Sequence, residues 1–580
     1  MIGLKFIIEI RKKFNHLLDD DSRKKYSLIL FLSIVNAILE LVGVSLLLYT
    51  ILAIFEPDFI EKFQLTTYLY YSMNVNSPQL FVLFLTGGLF LLYVIKNILL
   101  IQISKLQIRY SFAINKQISN DYYRDLIESD LVYFNSQDST HIMNNIMGAT
   151  LNFSESILLS SVLFISEWFI VTILLGAVLI FQPWLFLFVF IVLVPTAGAL
   201  VYFNKKSIEE ISKEEHELIP KIYDNINHLT RGISTIKLWS SESYFIKNYQ
   251  VFRDRVYTLK SSIYLKSNYI PVRTYEVIAI AGLLCVVVYG TYVGLEVSSI
   301  VAYISIYAAV SFRVLPSINR IITSSNNLAS RSHVLDYLIA NKTNNKVDSR
   351  RSQLEFNHQI ELSKADFFYS GCDLVLSSVS MTVSKGDFIG LIGESGSGKS
   401  TVLHLVSSLL IAQKGQLKID GVLIDSSNVS DYRYLFSYVN QDVFMLNDTI
   451  LKNIAFADAN PNQAKIEDCL NKVNLTNWVK SLPNGIHTSI GELGSQISGG
   501  QRQRIAIARA LYKDSEIFLF DEISNNLDEE SKAEILNTMK AIKKEGKTAI
   551  FVSHNREELE ICNVIYSIEN NKINRKEELF

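Results

Sequence analysis

The stretch "FIGLIGESGSGKSTVLHLVSSLL", residues 388–410, decides the fold of the C-terminal part of the chain. "FIGLI" reads as a buried strand, and "TVLHLVSSLL" repeats apolar residues at helical spacing. Between them stand Gly393, Glu394, Ser395, Gly396, Ser397, Gly398, Lys399 and Ser400, the GxxxxGK[ST] pattern in the strand–loop–helix setting that gives it meaning. The glycines let consecutive backbone N–H groups wrap phosphate, Lys399 reaches the β and γ phosphates, the Ser400 hydroxyl suits Mg²⁺, and the helix that begins near Thr401 adds a favourable field. A chance Gly/Ser loop rarely has a strand before it and a helix after it.

Further along, "EIFLFDE" (516–522) is an apolar strand that ends in Asp521 and Glu522. Open α/β sheets place ligands at the carboxyl ends of their strands, so a Mg²⁺-associated Asp521 and a water-activating Glu522 fit there. An isolated acid pair in this position is more often a helix cap. Together with a phosphate loop it reads as catalytic.

With 580 residues the chain is too long for one core, and two or more domains are expected. Hydrophobic residues make up 49% and charged residues 19%, and the mean hydropathy of +0.22 is apolar enough to place part of the chain in lipid. The net charge of −2 lacks the basic footprint of a nucleic-acid binder, so no nucleic-acid partner is expected. Cys285, Cys372, Cys469 and Cys562 are scattered, with no CxxC pair and no His cluster at metal spacing. The first residues do not read as a cleavable signal, because Arg11, Lys12 and Lys13 interrupt them before any long apolar run.

Six apolar stretches, near 27–55, 79–103, 157–181, 184–203, 275–294 and 298–320, are long enough to cross a hydrocarbon core about 30 Å thick. Each must be helical, since lipid offers unpaired backbone groups no partner. Arg11, Lys12, Lys13, Arg23, Lys24 and Lys25 precede the first span, Lys105, Arg109 and Lys116 follow the second, and Lys205 and Lys206 follow the fourth; the opposite loops carry only Lys62. The positive-inside rule therefore puts both termini in the cytoplasm. The connections 104–156 and 204–274 are polar but helix-compatible, so spans two and four are expected to continue as long cytoplasmic helices. The expected organisation is an all-α six-helix transmembrane domain with cytoplasmic helical extensions over 1–340, a polar linker over 341–357, and an α/β P-loop ATPase domain with an α-helical subdomain over 358–580.

The segment "ISGGQRQRIAIARAL" (497–511) resembles the signature of ABC ATPases, with Ile497 where Leu is usual. The resemblance extends to Tyr369, placed like the aromatic that stacks on adenine, and to Gln441 in "YVNQDVFMLNDTI", which resembles the loop that senses the γ-phosphate and Mg²⁺ and contacts the membrane domain. Asp528 resembles the D-loop acid and His554 the switch histidine, and "IGELGSQ" (490–496) is similar to a loop specific to exporters. What the resemblance implies is an ABC exporter half-transporter that hydrolyses ATP with Mg²⁺, with Glu522, His554, Gln441 and Lys399 catalytic. Ser400, Gln441 and Asp521 would hold Mg²⁺. Residues 393–401, Tyr369, Gln441, Asp528 and the signature residues Ser498, Gly499, Gly500 and Gln501 would hold nucleotide. Because two such domains sandwich ATP in this family, a second copy of the chain is the implied partner. One departure is that Asn525 and Asn526 occupy positions where Ser and Ala are usual. "YFNSQDST" (133–140) and "GISTIKLWSSESYF" (232–245) resemble the exporter coupling helices.

Ionisable residues within spans are costly and invite a functional reading. They are Glu40, Lys96, Glu167, Glu276 and Arg313, with Arg273 at the start of the fifth span. Lys96 and Arg313 both fall roughly 20 to 25 Å from the outer ends of their spans. Two readings stand: Lys96, Arg273 and Arg313 hold an anionic head group, or they snorkel and pair with the three carboxylates. "ILELVGVSLLL" and "SIYAAVSFRVLPSINRIITS" (305–324) are similar to bacterial ABC flippases of lipid-linked oligosaccharides in protein N-glycosylation. That resemblance implies a polyprenyl-pyrophosphate glycan as cargo. In "PDFIEKFQLTTYLYY", Asp58 and Glu61 have capping-box spacing and Phe59, Ile60, Phe63 and Tyr70 share a side, which reads as an external amphipathic helix, or as a plain structural loop helix; the resemblance implies that such a helix associates with the lipid tail. An exporter of peptides or drugs has the same fold, and a non-transport ABC ATPase is the remote alternative. Pro316 predicts a bend in the sixth span.

Overall fold

The computed structural model describes residues 12–14, 16–55, 78–181, 183–331, 334–335, 338–339, 354–369, 374–525 and 527–576. The expected external helix, most of the linker, Cys372 and Asn526 lie outside the described residues. The chain separates into two compact units, Met1–Ile127 with Gln137–Asn344, and Glu128–Ser136 with Asn345–Phe580.

The first unit is helical. Its long elements are α1 (Asp20–Phe55) and α2 (Pro78–Glu128). The short α3 (Leu131–Ser136) follows and groups with the second unit. Two π-helical segments, Asn144–Ala149 and Phe153–Leu158, lead into α4 (Leu159–Phe181). After it come α5 (Pro183–Leu238), α6 (Glu242–Tyr264), α7 (Ile270–Val293) and α8 (Val297–Ser330). Among the described residues, four helical stretches are long and apolar enough to cross a membrane: Asp20–Gly43, Thr86–Glu128, Asn144–Gly176 and Glu242–Val293. The expected fourth and sixth spans lie inside α5 and α8, and α8 continues through Pro316.

These helices divide the burial unequally. In the most apolar 18-residue window of Asn144–Gly176, 61% of the residues are buried, against 6% in that of Thr86–Glu128. Val162, Val171 and Leu174 of α4 pack with Ile29 and Ala37 of α1 and with Val310, Val314, Ile318 and Ile321 of α8. By contrast α2 turns Phe90, Leu91, Ile95 and Ile98 outward. So much exposed apolar side chain on one helix is stable only against hydrocarbon or another protein surface.

The second unit holds two sheets. The first is antiparallel, in the order β2 (Leu374–Ser384), β1 (Gln359–Phe368), β4 (Lys414–Ile419), β5 (Val422–Leu423). The second runs β10 (Lys572–Lys576), β9 (Val564–Glu569), β3 (Phe388–Gly393), β8 (Thr548–Val552), β7 (Ile517–Asp521), β6 (Phe436–Val439). All but β10 are parallel to their neighbours. Side chains of β7 and β8 are buried on both faces, as a covered parallel sheet requires. Alternation sorts them: Ile517 and Leu519 join one core with β1 and β2, whereas Phe518 and Phe520 join another beneath α10 (Gly499–Lys513) and α11 (Glu529–Lys544). The helix after β3, α9 (Lys399–Val406), lies on the first of these cores through Val402, Leu403 and Leu405.

Candidate functional site

Register across the second sheet gathers the segments that the sequence separates. Leu391 of β3 pairs with Val552 of β8, and Val552 pairs with Asp521 of β7. Val439 of β6 pairs with Phe520. The carboxyl ends of β3, β8, β7 and β6 therefore lie side by side, and each leads into one predicted segment: the phosphate loop, His554, the acid pair and Gln441.

At the phosphate loop, Gly398 caps α9 with φ +99°, a left-handed conformation that glycine adopts without the clash a Cβ brings. At Gly393 the constraint is space, since a Cβ there would stand 2.8 Å from the Ile568 carbonyl oxygen. Lys399 folds back over the loop, its Nζ donating to the carbonyls of Gly393 and Glu394 at 2.9 Å each. The hydroxyl of Ser397 is buried and has no hydrogen-bond partner among the described residues. A loop with a buried unmatched hydroxyl and an ammonium resting on two carbonyls has the donors for a polyphosphate. Tyr369 stands beside it, its hydroxyl 3.3 Å from Thr401 Oγ1 and its ring edge-on to Phe367.

Asp521 is buried, and its Oδ2 accepts a 3.0 Å hydrogen bond from the Tyr438 hydroxyl. Burial, then the charge of Asp521, pushes that hydroxyl well above the ordinary phenol range, so it stays a donor. His404 of α9 packs edge-on against the Tyr438 ring at 5.5 Å, and burial lowers its pKa. Glu522 adopts φ +50°, uncommon for a residue with a side chain and frequent at working sites. Its Oε1 lies 3.9 Å from Nε2 of His554, and its Oε2 accepts a 2.7 Å hydrogen bond from Nδ2 of Asn525. Gln441 is exposed two residues beyond β6. Tyr438 and His404 have no motif that announces them, because their partners come from distant strands.

The signature residues form a separate group. Ser498 caps α10 in a reciprocal capping box with Gln501, which uses both side chains locally. Gly499 and Gly500 open the helix, and Gly500 lies so close to α11 that a Cβ would stand 2.8 Å from Ser531 Oγ. Asp528 caps α11 by accepting from the Ser531 backbone at 3.1 Å, and hydrogen bonds from the Ser531 side chain, then its backbone, hold its carboxyl below the usual range. No described hydrogen bond or ion pair joins this group to the phosphate loop of the same chain.

In the helical unit, Lys96 Nζ lies 3.2 Å from Glu40, Arg313 lies 3.9 Å from both Glu40 and Glu167, and Arg320 lies 2.8 Å from Glu167. Lys96 and Arg313 thus belong to one charged cluster that joins α1, α2, α4 and α8. Arg273, expected to share their site, does not enter it. It pairs with Glu276 three residues along α7, at 2.7 Å and in an exposed setting, because the i,i+3 neighbour is already within reach. Arg320 was missed in the sequence, although its position seven residues after Arg313 puts both on one helix face.

Comparison with known proteins follows this geometry. Residues 12–314 match the ABC transporter transmembrane region, and residues 376–525 match ABC transporter. A lipid A-core flippase of Saccharophagus degradans is 30% identical over 401 residues, 67% of this chain and 66% of that protein. A lipid A-core flippase of Burkholderia pseudomallei is 37% identical over 37% of this chain and 36% of its own length. A probable ABC transporter ATP-binding/permease protein of Haemophilus influenzae is 35% identical over 42% and 44%. The chain thus covers less than two thirds of the length of each of these relatives. Among solved structures, a bacterial Atm1-family ABC exporter with ATP bound superposes with a TM-score of 0.73 over 95% of both chains at 18% identity, a likeness of fold.

Proposed function

Since the chain belongs to the ABC transporter family, with the exporter fold, we propose that it works as a homodimeric half-transporter in the inner membrane, with both termini and the ATPase unit cytoplasmic, and hydrolyses ATP to move an amphipathic lipid-linked substrate to the outer leaflet. The observation that carries the reading is the alignment of four strand ends, which puts the phosphate loop, Glu522 with His554, Asp521 and Gln441 along one edge of a sheet. In hydrolysis Lys399 and the loop amides hold the β and γ phosphates, and Tyr369 supports the adenine. Glu522 orients the attacking water and takes its proton, with His554 beside the same carboxylate. Ser400, Asp521 and Gln441 would hold Mg²⁺, which would supply positive charge to offset that of the transferring phosphoryl group. The signature residues Ser498 to Gln501 and Asp528 act on the nucleotide of the second copy. This agrees with their separation from the loop of their own chain.

For the substrate, the charged cluster sets three cations, Lys96, Arg313 and Arg320, against two carboxylates, Glu40 and Glu167. The surplus positive charge supports an anionic head group, and the lipid A-core flippases among the relatives support a lipid cargo. Within that class a polyprenyl-pyrophosphate oligosaccharide remains our specific reading. The competing reading, in which the cluster only ties helices together, rests on the same short pairs. Apolar anchors for coupling are present on the helical unit at the turn between α5 and α6, where Leu238 and Trp239 are 86% and 80% exposed.

Reconstitution in liposomes tests the proposal. ATP-dependent flipping of a polyprenyl-pyrophosphate glycan and of a lipid A-type glycolipid should exceed export of peptides and hydrophobic cations. Arg313→Ala should reduce flipping several-fold more than basal ATPase. Equal losses in both would leave Arg313 a structural tie.

A further inference from the structure

We propose that Asn525 is a positioning residue for hydrolysis, its side-chain amide fixing one oxygen of Glu522 so that the other is presented beside His554. The inference rests on the hydrolytic reading of Glu522 and adds a residue to it. Three observations converge. Asn525 stands where the resembling family usually has Ser, a side chain one bond shorter and with no amide. Its Nδ2 donates to Glu522 Oε2 at 2.7 Å, within a turn closed by the Asn525 N–H donating to the Glu522 carbonyl at 3.2 Å. Glu522 has left-handed backbone at φ +50° and a side chain 22% exposed, so neighbouring side chains decide which way its carboxylate faces.

A carboxylate at the end of a strand has free rotation about its last bonds unless something holds it, and each unproductive rotamer is a loss in rate. The amide of Asn525 occupies Oε2 in the geometry of a charge-assisted hydrogen bond. Oε1 is left on the side of His554, at 3.9 Å, room that a shared water or a small closure can fill. Because the bond is made to Glu522 and not to nucleotide, its effect belongs in turnover and not in ATP affinity.

The experiment uses the full-length chain in nanodiscs with ATP. Asn525→Ala and Asn525→Asp, the second of equal size without the donor, should each lower kcat about five- to tenfold while KM for ATP and the melting temperature stay at wild-type values. Asn525→Gln, which keeps an amide donor, should recover at least half of wild-type kcat. In a Glu522→Gln background, Asn525→Ala should change neither ATP affinity nor the amount of ATP retained, because the partner oxygen is altered already. Wild-type or raised kcat in Asn525→Ala would overturn the proposal, as would a parallel fall in melting temperature. Failure of the hydrolytic reading itself is distinguishable: Glu522→Gln would then turn over ATP normally, whatever the Asn525 variants do.

Discussion

Tyr438 and His404 show how the carboxylate proposed for Mg²⁺ is held from behind. Asp521 is buried, and a buried carboxylate needs its lone pairs matched; the Tyr438 hydroxyl matches one at 3.0 Å, and in the proposed role the other oxygen would face the cation. Tyr438→Phe keeps the ring packed on His404 and deletes only that donor. The Mg²⁺ concentration for half-maximal ATPase should rise several-fold, while ATP binding without Mg²⁺ is unchanged; a Mg²⁺ titration alongside nucleotide binding in chelator checks both. His404 adds a pH dependence. Burial lowers its pKa in the folded chain, so the unfolded chain binds the proton more readily. The stability due to the neutral ring is therefore complete above the ordinary imidazole value of about 6.5 and is lost as pH falls through the lower folded value. Melting temperature should drop more between about pH 7 and 5 in wild type than in His404→Gln. Neither residue was legible in the sequence. The Tyr438–Asp521 bond spans 83 positions, and only strand pairing closes that gap. Gly393 to Ser400, by contrast, was legible as the turn from β3 into α9, because its pattern is contiguous and set mostly by the backbone.

Among the elements, α10 and α11 show why a signature helix begins with two glycines. The Ser498–Gln501 capping box starts α10, and Gly500 lets its first turn lie against Ser531 of α11. A methyl group at position 500 would meet Ser531 Oγ at 2.8 Å, closer than carbon and oxygen tolerate. Gly500→Ala should destabilise the ATPase unit by about 1 to 3 kcal/mol, the usual cost of overpacking. Adding Ser531→Ala should return most of that, and denaturant unfolding of the single and double variants measures it. Element type was readable wherever the hydrophobic period was clean, as in β3 and β7. The π-helical segments at Asn144–Ala149 and Phe153–Leu158 were not, because six residues hold little more than one turn, too few for a period to be read. Arg320 escaped for a related reason: it fell at the edge of an expected span, where a cation reads as an interface residue.

For the whole molecule, the proposed function requires that work pass from nucleotide to a lipid substrate, and the division into units supplies a lead. The segment Glu128–Ser136 groups with the ATPase unit although both its chain neighbours belong to the helical one. Asp130 starts α3 by accepting from the Tyr133 backbone at 2.7 Å, and Leu131 and Val132 pack on the core that contains Tyr432, Phe436 and Val402. Burial lowers the pKa of Arg433 and the charge of Asp130 partly offsets this, while Arg433 Nε donates to the Ser408 carbonyl at 2.9 Å. The peptide that carries this anchor continues, through Glu128, into α2, the helix that bears Lys96. The sequence resemblance put a coupling helix at 133–140, which begins directly after the Leu131–Val132 anchor, because polar "NSQDST" stands out more than "LV". Leu131→Ser should leave ATP binding and basal hydrolysis within about twofold, since it touches no nucleotide group, and should lower lipid flipped per ATP hydrolysed by about fivefold or more, as loss of a transmitting contact predicts. Paired assays of phosphate release and flipping on the same proteoliposomes give that ratio. An unchanged ratio would remove α3 from the path, whereas equal falls in both assays would mean that it only stabilises the ATPase fold.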